Sequence, residues 1–350
     1  MMPDKISFES ETRDSELRDG LTGLYNQKFF HDELSRIDTA EHFPLTILLC
    51  DVNQLKLIND AMGYATGDKL LKLMAEIISN IGRKGDVVAR IANDEFAILL
   101  PKTDEPTVEL MIETMTNQLV NDRQNILKAT VSFGYKTKHD LHETMKDVLH
   151  EAYRDLNQKK TDQQDLMVGK TVLMILKTLF ARNRYEREHS KNVGILCEKM
   201  GRYLGMNPVE IHRLKVAGVM HDIGKIAIDE AILHKKGKLT RAEWVKVKNH
   251  SETGYFILNS TSKFSKIAPT VLQHHERWDG TGYPNRLKGE AILLNARIIA
   301  VVETFDTLTS KREYRKPMTK KEALVEIMSC SGMQFDPSIV KTFIEHFSKE

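Results

Sequence analysis

Two hydrophobic rhythms divide this chain. In the first half, short apolar runs alternate with stripes of helical spacing; from about Thr171 onward only the helical stripes continue. Leu45-Thr-Ile-Leu-Leu-Cys-Asp51, bounded by Pro44 and Asp51, predicts a buried strand. Leu70, Leu71, Leu73, Met74, Ile77, Ile78 and Ile81 predict a helix between Gly67 and Ile81. Strands are expected at Val87–Ile91 and Phe96–Leu100 around a tight Ala92-Asn93-Asp94-Glu95 turn. A helix from about Pro106 to Asn121, a strand around Ala129 to Tyr135 and a helix from about Glu143 follow. This alternation predicts an α/β (α+β) sandwich with helices packed on a central sheet.

The second half reads as all-α. Val193, Leu196, Met200 and Leu204 mark one helical face, and similar stripes recur over 214–220, 245–258 and 291–302. Between the halves, Glu143 to Arg184 has no proline and only one glycine, Gly169. There Leu166, Val168, Val172, Ile175, Leu176 and Leu179 form a stripe behind the polar stretch Asn157–Asp165. The plain expectation is an exposed helical linker; the sharper one is a helix that pairs in a homodimer. The expected organisation is therefore a first domain over 14–160, a linker over 161–181 and a second domain over 182–350.

Composition narrows the class. A 350-residue chain can bury two cores, and 41% hydrophobic with 29% charged residues describes globular domains. A net charge of +2 gives no footprint for a nucleic acid duplex or a membrane surface. Cys50, Cys197 and Cys330 form neither a disulfide framework nor a zinc pattern, which favours a reducing compartment. Met1 to Arg18 lacks the apolar core of a signal peptide, so a cytoplasmic location is expected.

Of the 13 histidines, His189, His221, His250, His274 and His275 have suggestive neighbours. Asp222 follows His221, and Glu303 and Asp306 lie on a helical stretch further along. Imidazoles mixed with carboxylates suit Fe, Mn or Zn rather than Ca²⁺. His274-His-Glu-Arg-Trp-Asp-Gly-Thr-Gly-Tyr-Pro284 ends in a glycine-rich turn suited to close backbone approach.

Taken with Glu188-His-Ser190, His221-Asp-Ile-Gly-Lys225, Leu239-Thr-Arg-Ala-Glu243 and Gly332-Met-Gln-Phe-Asp-Pro337, that stretch resembles the HD-GYP phosphodiesterases over about Arg182 to Phe343. The resemblance implies a binuclear site of divalent transition metal ions, Fe or Mn ahead of Zn, held by His189, His221, Asp222, His250, His274, His275 and Glu303, with Asp222 bridging. Seven ligands independently favour two ions. Glu303 stands where the family usually has Asp, and Tyr185 stands where members with a third ion have Glu. Asp222 and Lys225 are implied to be catalytic. Lys225, Gly282, Tyr283, Pro284, Asp306, Arg312 and Arg315 are implied around the substrate. The expected reaction opens cyclic di-GMP to pGpG, with GMP as a further product. Two alternatives are a non-catalytic cyclic di-GMP receptor and a phosphodiesterase preferring 3′,3′-cyclic GMP-AMP.

The first half resembles the GGDEF domain of diguanylate cyclases over about Asp14 to Lys160. The motifs are Asp19-Gly-Leu-Thr-Gly-Leu-Tyr-Asn26, Asp51-Val-Asn-Gln-Leu-Lys-Leu-Ile-Asn-Asp60 with Gly67-Asp68, and Arg90-Ile-Ala-Asn-Asp-Glu-Phe96. Ala92 and Asn93 replace the two signature glycines, and Tyr153 and Asn157 are also off pattern, so the domain reads as degenerate and without cyclase activity. The resemblance still implies Mg²⁺ at Asp51 and Asp94, guanine contacts at Asn59 and Asp68, and phosphate contacts at Lys56 and Lys160. GTP is expected there as a regulator. Arg83 and Asp86 occupy the place of the family's inhibitory cyclic di-GMP site.

Overall fold

The computed structural model describes residues 16–122, 129–235, 237–311 and 316–348. The chain divides into two compact units between Met167 and Val168.

The first unit is built on a five-stranded sheet: β1 (Tyr25–Asn26), β2 (Leu45–Val52), β3 (Val87–Arg90), β4 (Glu95–Leu100) and β5 (Val131–Lys138). Their order is β1-β3-β4-β2-β5; β1 and β3 are parallel, and the other pairs are antiparallel. All eight residues of β2 are buried, because successive side chains point to opposite faces and both faces are covered. Leu48, Cys50 and Val52 join one apolar cluster with the Tyr64–Ile81 and Glu105–Asn121 helices, while Leu45, Ile47 and Leu49 join another with Phe30, Leu34 and Ala152. The turn between β3 and β4 uses no positive φ at Ala92 or Asn93, so Asn93 is not there for left-handed backbone. Arg90 holds the turn by donating to the Asn93 carbonyl at 2.6 Å.

The segment 161–181 lies inside one continuous helix, Met145–Arg182. Its stripe was expected to be exposed, yet Val168, Val172, Ile175, Leu176 and Leu179 are buried. They belong to the second unit and are covered within the chain itself. The side chain of Leu166 lies outside the described residues.

The second unit is helical among the described residues. Its principal helices are Arg184–Tyr203, Pro208–Met220, Arg241–Lys248, His250–Asn259, Ala268–Gln273, Leu294–Thr309, Lys320–Ser329 and Pro337–Phe347. Capping boxes at Asn207/Glu210, Thr240/Glu243 and Thr319/Glu322 fix three helix starts by satisfying backbone N–H groups that no intrahelical carbonyl can reach. The 245–258 stripe is interrupted at Asn249, but that residue keeps near-helical dihedrals (φ −66°, ψ −11°), so the periodicity runs across the break. No described helix is long and apolar enough to cross a membrane.

One position tests the packing of the first unit. A Cβ on Gly134 of β5 would lie 2.3 Å from the backbone nitrogen of Leu156, where the helix rests directly on the strand. Gly134→Val is expected to lose about 1–3 kcal/mol by overpacking, read as a lower midpoint in chemical denaturation. Gly20→Ala, which meets nothing within 4 Å, is the control and should leave the midpoint unchanged.

Candidate metal centre

Helix ends supply most of the donors. His221 caps the C-terminus of the Pro208–Met220 helix, Asp222 begins the following 3-10 turn (Ile223–Ala227), His250 opens its helix, and His274 caps Ala268–Gln273. His189 and Glu303 project from the middle of the Arg184–Tyr203 and Leu294–Thr309 helices. The 3-10 turn sits very close to the His250 helix: a Cβ on Gly224 would lie 1.9 Å from the His250 carbonyl oxygen. Only glycine lets these two backbones approach so closely.

The seven expected ligands form two groups, Asp222/His250/His274/His275 and His189/His221/Asp222/Glu303, with the donor atoms of each group within 4.8 Å of one another. Asp222 belongs to both. Its Oδ1 faces His250 Nε2 at 3.3 Å, while its Oδ2 faces His221 Nε2 at 3.0 Å and His189 Nε2 at 3.9 Å.

Three rings are aimed by one local device. The Nδ1–H of His221, His250 and His274 donates to the carbonyl three residues earlier, on Gly218, Val247 and Val271, at 2.7, 2.5 and 2.6 Å. With Nδ1 so engaged, each Nε2 points inward. His189 differs, because its Nδ1–H donates to Asp306 Oδ2 at 2.7 Å. Asp306 is buried, and its other oxygen accepts from Asn192 at 2.9 Å and Ser310 at 3.1 Å. Asp306, implied around the substrate, has its oxygens engaged by protein donors and orients His189. Arg312 and Arg315 lie outside the described residues.

The donor set itself calls for cations. Among the described residues, His221 Nε2 and both Asp222 oxygens are buried with no directed hydrogen bond. His250 Nε2 and His274 Nε2 stand 3.3 Å apart although each ring's proton is already engaged at Nδ1. Buried lone pairs facing one another without protons are costly unless a cation lies among them. The residues present therefore fit divalent ions.

Protonation is arranged accordingly. Burial, reinforced by neighbouring imidazoles, holds His274 and His275 well below the usual imidazole range, and burial lowers His250 against the pull of Asp222. These three are ready to bind metal without first losing a proton. Burial also works to lower His221, but adjacent Asp222 overrides it and pushes the ring up to about 9, so metal must displace a proton there. Burial opposes ionisation of Asp222; His221, Lys225 and His250 outweigh it and hold the carboxyl well below its usual range. Burial raises Glu303, with the Asp222 charge adding to it against His221.

Lys225 is committed elsewhere than expected. It lies on the 3-10 turn, where its Nζ is 2.7 Å from Asp222 Oδ2 and donates to both oxygens of buried Glu186 at 3.1 and 3.2 Å. A cavity of about 410 Å³ opens beside His274, His275 and Glu303, and Lys225 is not among its lining residues. Gly282 and Tyr283 do line it, and Pro284 does not. A Cβ on Gly282 would lie 2.4 Å from the Arg277 nitrogen, and the Tyr283 ring stands 4.9 Å from that of His275. Buried Glu276 clamps this loop by accepting from the backbone N–H groups of Asn285 and Leu287. Sequence reasoning missed Lys248, Arg277, Gln334 and Glu186; the one available signal was proximity to a ligand, two residues for Lys248 and three for Glu186.

In the first unit, a second cavity of about 340 Å³ gathers Asp51, Asn53, Lys56, Asp94 and Lys160. Lys160 Nζ pairs with Asp51 Oδ2 at 2.7 Å; burial raises the Asp51 carboxyl, Lys160 opposes it and Asp94 adds to it. Asn59 and Asp68 do not line that cavity. Asn59 lies against Gly67, its Oδ1 buried without a hydrogen bond. Asp86, at the place of the family's inhibitory site, accepts at Oδ2 from the Arg83 backbone N–H at 2.7 Å and closes its own turn. The Arg83 side chain is exposed.

Known proteins can be set beside this geometry. A family model described as "HD domain" matches residues 173–339, and one described as "Diguanylate cyclase, GGDEF domain" matches residues 16–165. Over 171 residues the chain is 39% identical to the 3'3'-cGAMP-specific phosphodiesterase 2 of Vibrio cholerae, covering 48% of this chain and 33% of that protein. Over 188 residues it is 38% identical to a cyclic di-GMP phosphodiesterase of Thermotoga maritima, covering 53% and 50%. The cyclic di-GMP phosphodiesterase response regulator RpfG of Xanthomonas campestris is 42% identical over 153 residues, 43% of this chain and 39% of that one. The chain thus spans between a third and a half of the length of these relatives.

Asp306→Ala is expected to lower metal affinity about 10–100-fold, because His189 loses the partner that fixes its ring. Chelator competition measures this. Asp306→Asn, which retains an acceptor, should lose less.

Proposed function

Residues 173–339 belong to the HD domain family and residues 16–165 to the GGDEF domain family, and on that premise we propose that the second unit is a metal-dependent phosphodiesterase opening cyclic di-GMP to pGpG, with GMP as a further product. The observation that carries this reading is one buried carboxylate, Asp222, shared by two groups of imidazole and carboxylate donors. Held by His189, His221, Asp222, His250, His274, His275 and Glu303, two divalent ions, Fe or Mn ahead of Zn, would supply the nucleophile and neutralise charge on phosphorus and the leaving oxygen.

The chain's own contribution is order and charge. Backbone carbonyls and Asp306 aim the imidazoles before any ion arrives. Lys225, itself held by Glu186, keeps Asp222 ionised within a buried site. Tyr283 and the backbone of Gly282 wall the neighbouring cavity and place it against His275 and Glu303. Two relatives, both cyclic di-GMP phosphodiesterases, agree in substrate class.

For the first unit, the reading is a regulatory site for GTP with Mg²⁺. Two carboxylates and two lysines around one cavity supply hard oxygen ligands and phosphate contacts. Side chains at Ala92 and Asn93 occupy the space of the missing glycines, so no cyclase activity is assigned.

His221→Ala and Asp222→Ala should each reduce turnover of cyclic di-GMP to background while far-ultraviolet circular dichroism stays helical. Chelator treatment should abolish turnover, and added Mn or Fe should restore it. Metal-loaded wild type that hydrolyses no cyclic dinucleotide would sink the enzymatic reading. Separately, calorimetry with GTP and Mg²⁺ should give heat that Asp51→Ala or Lys160→Ala removes; no heat from wild type at millimolar GTP would end the regulatory one.

A further inference from the structure

Among the described residues, the cavity beside the metal centre is lined by two cations, Lys248 and Arg277, and they differ in what remains free. Arg277 is spent on its own loop. Its Nε donates to Thr281 at 2.9 Å and to Asp279 at 3.3 Å, its Nη2 to Asp279 at 3.0 Å, and its Nη1 to Gln334 at 3.1 Å. Lys225, implied around the substrate, lies off the lining and is paired with Glu186 and Asp222. Among the described residues, no carboxylate forms an ion pair with Lys248. This lysine ends the Arg241–Lys248 helix two residues before His250, and its Nζ stands 5.1 Å from the centroid of the Tyr283 ring.

A cyclic dinucleotide carries two phosphodiesters, each with one negative charge, and only one is at the metal ions when it is cut. The other must be taken from water by something else. An ammonium against an aromatic face retains its donors for an oxyanion while the ring steadies its position. We propose that Lys248, seated on Tyr283, binds the phosphodiester that is not being cut. It is thus a specificity-determining residue for substrates with a second phosphate. This inference rests on the phosphodiesterase reading of the same site.

The test compares the full metal-loaded chain with Lys248→Met and Lys248→Arg on two substrates. With cyclic di-GMP, Lys248→Met should raise KM at least tenfold while kcat stays within threefold, and Lys248→Arg should recover most of the loss. With bis(p-nitrophenyl) phosphate, which has one phosphodiester and no second anion, kcat/KM should stay within twofold, and metal content should be unchanged. An equal loss on both substrates would place Lys248 at the reacting phosphate or the metal, and no loss on either would remove it from the site; each result overturns the proposal. If wild type turns over no cyclic dinucleotide, equilibrium binding of cyclic di-GMP decides instead. A tenfold weaker affinity in Lys248→Met supports the contact, whereas equal affinity, or no binding by wild type, overturns it.

Discussion

Asp222 sets the terms for the second unit. A carboxylate with almost no solvent contact cannot remain ionised unless positive charge surrounds it. Here the charge comes from Lys225 at one oxygen and from the donors gathered around both. Its neighbours arrive on separate helices, and the turn that carries it must lie against the His250 backbone without an intervening side chain. Removing one partner of such a group leaves the rest facing an uncompensated buried charge.

The two lysines near the centre illustrate how position redistributes work among similar residues. Lys225 is half-buried, doubly paired and pushed further toward its charged form; burial opposes that charge, but Asp222 and Glu186 outweigh it. Its task is to hold another charge in place. Lys248 is exposed at a helix end and touches an aromatic face rather than a carboxylate. A lysine tied to two acids has little left for a third anion, whereas one resting on a ring can still exchange its water for a ligand oxygen.

Much of this was legible in the chain itself. The alternation of strand runs and helical stripes located the sheet of the first unit, since such patterns are local and β2, buried on both faces, shows as a continuous apolar run. Five histidines with carboxylates nearby stood out in the chain, the resemblance to the HD-GYP family picked out the set of seven, and the structure brings all seven together. Other features depended on pairings across long separations. Glu186 meets Lys225 across 39 positions, and Asp306 meets His189 across 117; neither separation leaves a periodic trace. The stripe from Val168 to Leu179 shows the converse limit. Its spacing reveals an apolar face but not what covers it, and intrachain packing covers it here.

The way the rings are held carries a consequence for how the centre comes together. His221, His250 and His274 each take their orientation from a carbonyl in the same helical turn, so each is set as soon as its own segment forms. An error in one cannot propagate to the others. His189 is different: Tyr185 stacks on its ring one turn earlier, but the hydrogen bond that fixes its Nδ1 forms only when the helix bearing Asp306 lies against its own. Three ligands are thus prefabricated parts, and the fourth is the inspection point. Its alignment carries information about tertiary assembly that the other three do not.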